Sequence, residues 1–309
     1  MHTPSPAIAI GRTGIFAAMT LEKRTCPACG HASGTLLPAY AAHHLRRCPR
    51  CGCAYVDRVP TSTELDTYYG DYPIKDAPPA VTIKRYGELL DDLEVHHRTG
   101  RLIDVGCGGG GFLRCAAERG WEAHGTEYGA ATVETLREQG FHMRQGPLDA
   151  ANYEAGSFDV VVSIEVLEHV IDPREELRQM HRILRPGGLL YITTPNFNAL
   201  TRRLTGSRWT VVAYPEHLTL FTAASLHGLL ERSGFERIGL RTTGISLSRI
   251  KESHGIGDAE ANRTAADDAR LQHSIEGSAI LRTAKSMANG VLSLVRLGDT
   301  LKATYRKKG

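Results

Sequence analysis

One stretch constrains this chain of 309 residues more than any other: Leu102-Ile-Asp-Val-Gly-Cys-Gly-Gly-Gly-Gly111, running on into Phe-Leu-Arg-Cys-Ala-Ala-Glu-Arg-Gly. An apolar run opens into a glycine-rich turn and then into a segment of helical period. Such a joint lets a ligand lie against bare backbone at the positive end of a helix. On both sides of it, short apolar runs alternate with helix-period segments, the pattern of repeated βαβ units around a parallel sheet. The spacing predicts strands over 101–105, 122–126, 141–145, 158–164, 188–194 and 235–242, with helices between them. Taken alone, Gly106-x-Gly108-x-x-Gly111 also satisfies a dinucleotide fingerprint, so the loop does not by itself choose the ligand.

Composition narrows the class. At 41% hydrophobic and 23% charged residues, with a mean hydropathy of −0.25, the chain is too polar for a bundle of membrane helices. The net charge of +3 argues against a dedicated nucleic-acid binder, yet it conceals a division. Residues 1–60 carry seven Lys/Arg against two acids, residues 276–309 the same, and the body between them is at −7. No secretory signal is read in the first residues, because Arg12 and two glycines break the apolar run from Ala7 to Met19. The expected location is cytoplasmic, where clustered thiols bind metal more often than they form disulfides.

Five of the seven cysteines lie in the first 53 residues of the chain. Cys26-Pro-Ala-Cys29-Gly and Cys48-Pro-Arg-Cys51-Gly give C-x2-C-x18-C-x2-C, the spacing of a four-thiolate structural zinc site. Cys53 is left over, and His31, His43 and His44 are alternative ligands that the thiol pairs make unnecessary. The predicted organisation is a disordered tail over 1–22, a zinc ribbon over 23–58, a linker with a short N-capped helix over 59–81, and a main domain over 82–309. Within the last, residues 82–97 are read as an amphipathic helix.

Further motifs fix the reading of the main domain. Asp104 stands two residues before Gly106, giving D-x-G-x-G-x-G through Gly108 and Gly110, and Glu127 closes the second strand. Phe158-Asp-Val-Val, Glu165-Val-Leu-Glu168-His169-Val and Leu184-Arg-Pro-Gly-Gly follow in order. In this combination residues 85–240 resemble a class I S-adenosylmethionine-dependent methyltransferase. The resemblance implies an α/β, Rossmann-like sheet of seven strands with helices on both faces and the last strand antiparallel. Gly298–Tyr305 then supplies the final strand, and 246–297 become a helical insertion before it. S-adenosylmethionine is the implied cofactor. Asp104, Gly106, Gly108 and Gly110 are assigned to its methionine and loop contacts, Glu127 to both ribose hydroxyls, and Tyr128 to one adenine face. Leu148 and Asp149 are assigned to the adenine edge, with Asp149 standing in for an acid that relatives carry where this chain has Pro147. Glu165 completes the cofactor-binding set.

Pro215-Glu-His217-Leu-Thr-Leu-Phe-Thr is similar to an element of the small-molecule branch that includes ubiquinone-biosynthesis O-methyltransferases. His217 is the general-base candidate, because imidazole takes a proton near neutral pH; its alternative role is to cap the helix that begins near Thr222. Arg202, Arg203 and Arg208 are candidates for holding an anionic acceptor. Glu165, Glu168 and His169 form E-x-x-E-H, which some relatives use to bind a divalent cation. The expected activity is O-methylation of a small-molecule, sugar or lipid-linked acceptor. Sugar C-methylation and a non-catalytic role in cofactor sensing or partner docking through the ribbon remain as alternatives. Apolar residues at helical spacing from Ile280 to Val295, interspersed with basic ones, predict a C-terminal helix that packs over the active-site edge or against another subunit, with peripheral contact at the inner membrane face as the sharper alternative.

Overall fold

The computed structural model describes residues 21–70, 78–246, 250, 253 and 279–309. The expected tail over 1–20 and almost all of the excursion over 251–278 lie outside the described residues. Leu21 and Glu22, expected in the disordered tail, instead pair with Pro60 and Val59.

The N-terminal part holds β1 (Leu21–Lys23), β2 (Thr35–Leu36), β3 (Leu45–Arg47), β4 (Ala54–Val56), β5 (Arg58–Pro60) and helix α1 (Ser62–Gly70). Helix α2 (Ala80–Leu93) leads into the main sheet, which is built from β6 (Arg101–Val105), β7 (Glu122–Glu127), β8 (His142–Gln145), β9 (Phe158–Ile164), β10 (Leu184–Pro195), β12 (Phe235–Thr243) and β13 (Thr300–Lys307). The helices between are α3 (Gly111–Ala117), α4 (Ala130–Glu138), α5 (Pro173–Ile183), α6 (Leu200–Thr205), α7 (Ala223–Arg232) and α8 (Ala279–Leu294), and a short strand β11 (Thr219–Leu220) precedes α7. The strand order is β12-β13-β10-β9-β6-β7-β8. The five strands from β10 to β8 are parallel, and β13 runs antiparallel between β10 and β12. This is the seven-stranded sheet expected from the sequence, last strand included.

Alternation within the strands explains the two layers. On one face Leu102, Val160, Val162, Leu189 and Tyr191 pack with Leu90, Leu93 and Phe112 of α2 and α3. On the other, Ile103, Val161, Leu190 and Ile192 pack with Leu177, Met180 and Ile183 of α5 and with Leu226, Leu229 and Leu230 of α7. Strands covered on both faces read as continuous apolar runs, as Phe158–Ile164 does. Helix α5 shows its boundaries in sequence: the Asp172 carboxylate accepts from the amides of Arg174 and Glu175, Pro173 occupies the first turn, and His181 and Arg182 lie in the last. Asp159 of F-D-V-V is buried and locks the strand ends. Burial pushes its carboxyl up, but Arg185 and the amides of Arg98 and Gly100 outweigh that and hold it below the ordinary range.

The ribbon is spliced into this body. Its sheet has the order β11-β4-β3-β2, so the strand that follows His217 is its fourth member, with Thr219 opposite Tyr55 and Leu220 opposite Ala54. Tyr40, Leu45, Ala54 and Val56 of the ribbon share one core with Phe197, Trp209, Val211 and Leu220 of the body. Helix α8 lies by β12, with Met287, Val291, Leu294 and Val295 exposed. Among the described residues no helix is long and apolar enough to cross a membrane.

Candidate active site

The glycine turn sits at the carboxyl end of β6, beside the point where the strand order reverses between β6 and β9, the usual crevice of an open α/β sheet. Gly106 and Gly108 have φ of 69° and 52°. A Cβ on Gly106 would meet Val166 at 2.7 Å, whereas one on Gly108 would meet nothing within 4 Å. Glycine at 106 is therefore demanded by packing as well as conformation, while at 108 the backbone faces open space. Asp104 is buried in β6, and among the described residues its Oδ1 has no hydrogen-bond partner. Burial, with the Glu127 charge adding to it, pushes this carboxyl up to about 8. A buried carboxylate without a partner costs free energy that a cation repays. At the end of β7, Glu127 Oε2 accepts from the Gly108 amide at 2.9 Å and Oε1 from the Tyr128 amide at 2.7 Å and the Gly129 amide at 3.2 Å. The two oxygens offer about four lone-pair sites, so the carboxylate is held in place with acceptor capacity to spare.

Beyond Glu127 a cleft of about 270 Å³ is lined by Asp66, Gly70, Tyr128, Gln145, Gly146 and Pro147. Helix α1 forms one wall of it. The Thr61 hydroxyl and amide donate to Glu64 Oε2 at 2.8 and 2.9 Å, a capping box that starts the helix, and Leu65 packs with Val59 and Leu218. Tyr69 then lies 5.6 Å from Tyr128, ring centre to ring centre, and its hydroxyl is 3.0 Å from His169 Nδ1.

On the far side of Tyr69, His169 and His217 pack edge to face at 4.7 Å. His217 Nδ1 lies 2.6 Å from the Val211 carbonyl. A carbonyl only accepts, so Nδ1 carries the proton and Nε2 the lone pair. Glu168 is buried below them and accepts from the Thr194 hydroxyl at 2.9 Å. Ligand atoms of Glu168, His169 and His217 all lie within 4.8 Å of one another. Two members of the expected cation set, Glu168 and His169, fall in this group, and His217 joins them. Glu165 has left-handed backbone, φ 55°, and its charge reaches Tyr191 and Lys302.

A methyltransferase domain family matches residues 81–239. The chain belongs to the S-adenosylmethionine-dependent methyltransferase family. A Mycolicibacterium smegmatis relative named as a probable S-adenosylmethionine-dependent methyltransferase is 32% identical over 209 residues, 64% of this chain and 78% of that protein. The Pseudomonas aeruginosa (strain LESB58) ubiquinone biosynthesis O-methyltransferase is 36% identical over 105 residues, 32% of this chain and 45% of that enzyme, so the chain spans about half the length of that relative. A crystal structure from Galdieria sulphuraria, named for sarcosine dimethylglycine methyltransferase activity, superposes with a TM-score of 0.50 at 15% identity. It covers 74% of this chain and 85% of that one, and speaks to the fold alone.

Within this chain the cysteine pairs converge. Sγ atoms of Cys26, Cys29, Cys48 and Cys51 lie within 4.8 Å of one another, with Cys26 to Cys51 at 3.6 Å and Cys29 to Cys48 at 3.5 Å. A tetrahedral site with Zn–S near 2.3 Å needs about 3.8 Å between sulfurs, so the four thiols fit a zinc ion. The two knuckles match: the Gly30 amide donates to the Cys26 carbonyl and the Gly52 amide to the Cys48 carbonyl. Cys53 is buried outside the group, its thiol near the Leu220 carbonyl. Arg24 ties the ribbon to the site, donating to the carbonyls of Val56 at 2.9 Å, Ile171 at 2.7 Å and Leu218, next to His217.

Other positions fall elsewhere in the chain. Gly110, φ 73°, caps α3. Leu148 is buried in the core, and Asp149 caps the turn Ala150–Asn152 by accepting from the Ala151 amide at 2.9 Å; neither lines the cleft. Thr222, not His217, caps α7. Arg202 stacks over Phe197 at 4.2 Å. The sequence reading missed Asp66, Tyr69 and Arg24. The capped helix over 60–69 was legible, but nothing local says which residues 100 or more positions away it faces.

Proposed function

We propose that this chain transfers the methyl group of S-adenosylmethionine to an oxygen of a small-molecule or glycan-type acceptor. The choice of oxygen rests on one observation: the Val211 carbonyl fixes the His217 tautomer that leaves Nε2 as a proton acceptor. Bound S-adenosylmethionine supplies an already activated methyl, so the protein has to align the partners and remove a proton. Asp104 fits the methionine ammonium because it is a buried carboxylate with an unpartnered oxygen. Glu127 fits the ribose hydroxyls, being held by amides with lone pairs left. His217 Nε2 takes the acceptor hydroxyl proton as the new carbon–oxygen bond forms, and Tyr69 and Tyr128 exclude water from the cofactor side.

The closeness of Glu168, His169 and His217 favours a second reading, in which the three hold a divalent ion that acidifies the acceptor hydroxyl. One carboxylate and two imidazoles suit zinc or manganese better than magnesium. The four cysteines are proposed to hold a separate, structural zinc.

The test is incubation of the full chain with S-adenosylmethionine and a metabolite extract, followed by mass spectrometry for products that gain one CH₂. A product methylated on oxygen supports the reading. A product methylated on carbon overturns its oxygen part, and calorimetry in which NAD binds and S-adenosylhomocysteine does not overturns the whole. Metal analysis separates base from ion: metal beyond the ribbon zinc, lost in His169→Ala, favours the ion.

A further inference from the structure

Asp66 belongs to no motif of the main domain, yet it lines the cleft next to the proposed ribose site. Asp66 and Gly70 stand four positions apart on α1, so they share a face, and both border the cavity. Leu65 turns the other way, into the core with Val59 and Leu218. The capping box and the Tyr69–Tyr128 contact hold this face of the helix over the cleft. A ribose held by Glu127 would leave its base to the adjoining cleft, which Tyr128, Gln145, Gly146 and Pro147 line.

Adenine presents one donor at its outer edge, the 6-amino group. The loop after β8 answers it poorly. Pro147 has no polar side chain and no N–H, Asp149 caps the turn Ala150–Asn152 and is not among the residues that line the cleft, and the Gln145 side-chain amide donates to the Tyr128 carbonyl at 3.3 Å. Among the described residues Asp66 is the anionic acceptor in the lining, and its charge reaches Tyr128: burial raises that phenol above its ordinary range, and the Asp66 charge adds to the shift.

We propose that Asp66 accepts a hydrogen bond from the adenine 6-amino group of the cofactor, so that α1 reads the base in place of the loop after β8. The inference rests on the S-adenosylmethionine reading above. A hydrogen bond to a charged acceptor is among the stronger ones, and a site built around it rejects a ligand that lacks the donor.

Calorimetry on the full chain tests this with S-adenosylhomocysteine and its inosine counterpart, in which a carbonyl replaces the 6-amino group. The wild-type chain is expected to prefer the adenosyl ligand by about tenfold or more. Asp66→Asn, at an exposed position, is expected to lose that preference, because its amide can donate to the inosine carbonyl. An unchanged preference in Asp66→Asn, or an equal weakening of both ligands, overturns the role of Asp66 and leaves the cofactor reading standing. Failure of the wild-type chain to bind S-adenosylhomocysteine overturns the cofactor reading itself.

Discussion

On the side of the cleft assigned to the cofactor, Asp104, Gly106, Gly108 and Glu127 all come from β6, β7 and the turns that follow them. On the side assigned to the acceptor, His217 is fixed by Val211 and packs on His169, whose Nδ1 meets the Tyr69 hydroxyl of α1, while Arg24 and β4 of the ribbon hold the segment that follows His217. The first wall is local, and adjacent parallel strands bring its parts together. The second is assembled from four separate parts of the chain, two of them in the N-terminal module. What looks in sequence like an appended metal module is a supporting element of the proposed reaction centre.

The largest effect should come from the ribbon. Cys26→Ser breaks the proposed four-thiolate set, and a structural zinc held by such a set would supply on the order of 10 kcal/mol of folding free energy. Loss of β3 and β4 leaves β11 without its partner, so methyl transfer is expected to disappear while S-adenosylhomocysteine affinity changes little. Zinc analysis, a transfer assay and calorimetry on the same preparation check this. Parallel loss of cofactor binding would show that the two walls are one cooperative unit and would break the comparison. His217→Ala should lower transfer by about a hundredfold to ten-thousandfold with unchanged cofactor affinity.

Cofactor binding should depend on pH through Asp104. Its carboxyl titrates near 8 in the folded chain against 3.8 ordinarily, so the folded state keeps a proton that the unfolded state has lost. The stability of the ligand-free chain should therefore fall as pH rises from about 4 to 8. The ligand ammonium prefers the ionised carboxylate, so affinity should rise by up to about tenfold per pH unit below 8. The gain ends where the ligand's own α-amino group loses its proton, at about 8. Calorimetry across this range, in buffers of differing ionisation enthalpy, should detect the released proton. A flat profile would remove Asp104 as the ammonium partner.

Legibility in the sequence followed the same division. The sheet and the glycine turn were readable because each signal is short-range: apolar runs, D-x-G-x-G-x-G, and an acid closing the next strand. The convergence of the four cysteines was readable because paired C-x2-C knuckles at this spacing can close on one point. Strand β11 was not, because two residues have no period and their partners lie at Ala54 and Tyr55. Nor was the His169–His217 pair, which depends on where the segment from Trp209 folds back.

Smaller changes sharpen the contrast. Arg24→Met removes the donor to three carbonyls and should cost about 1 to 3 kcal/mol. Thermal unfolding and hydrogen exchange at the Leu218 and Thr219 amides measure it, with cofactor binding spared. Thr61→Ala should cost about 1 kcal/mol in the α1 cap and appear as modestly faster cofactor dissociation.

The pairing of β4 with β11 also sets an order of events at the ribosome. Ala54 emerges some 160 residues before Leu220, an interval of roughly 8 to 32 seconds at typical elongation rates. Through that interval the nascent N-terminal sheet carries an uncovered strand edge. Early metal capture by the thiols would keep β3 and β4 in register until the last strand arrives, tying the yield of folded enzyme to zinc supply during translation.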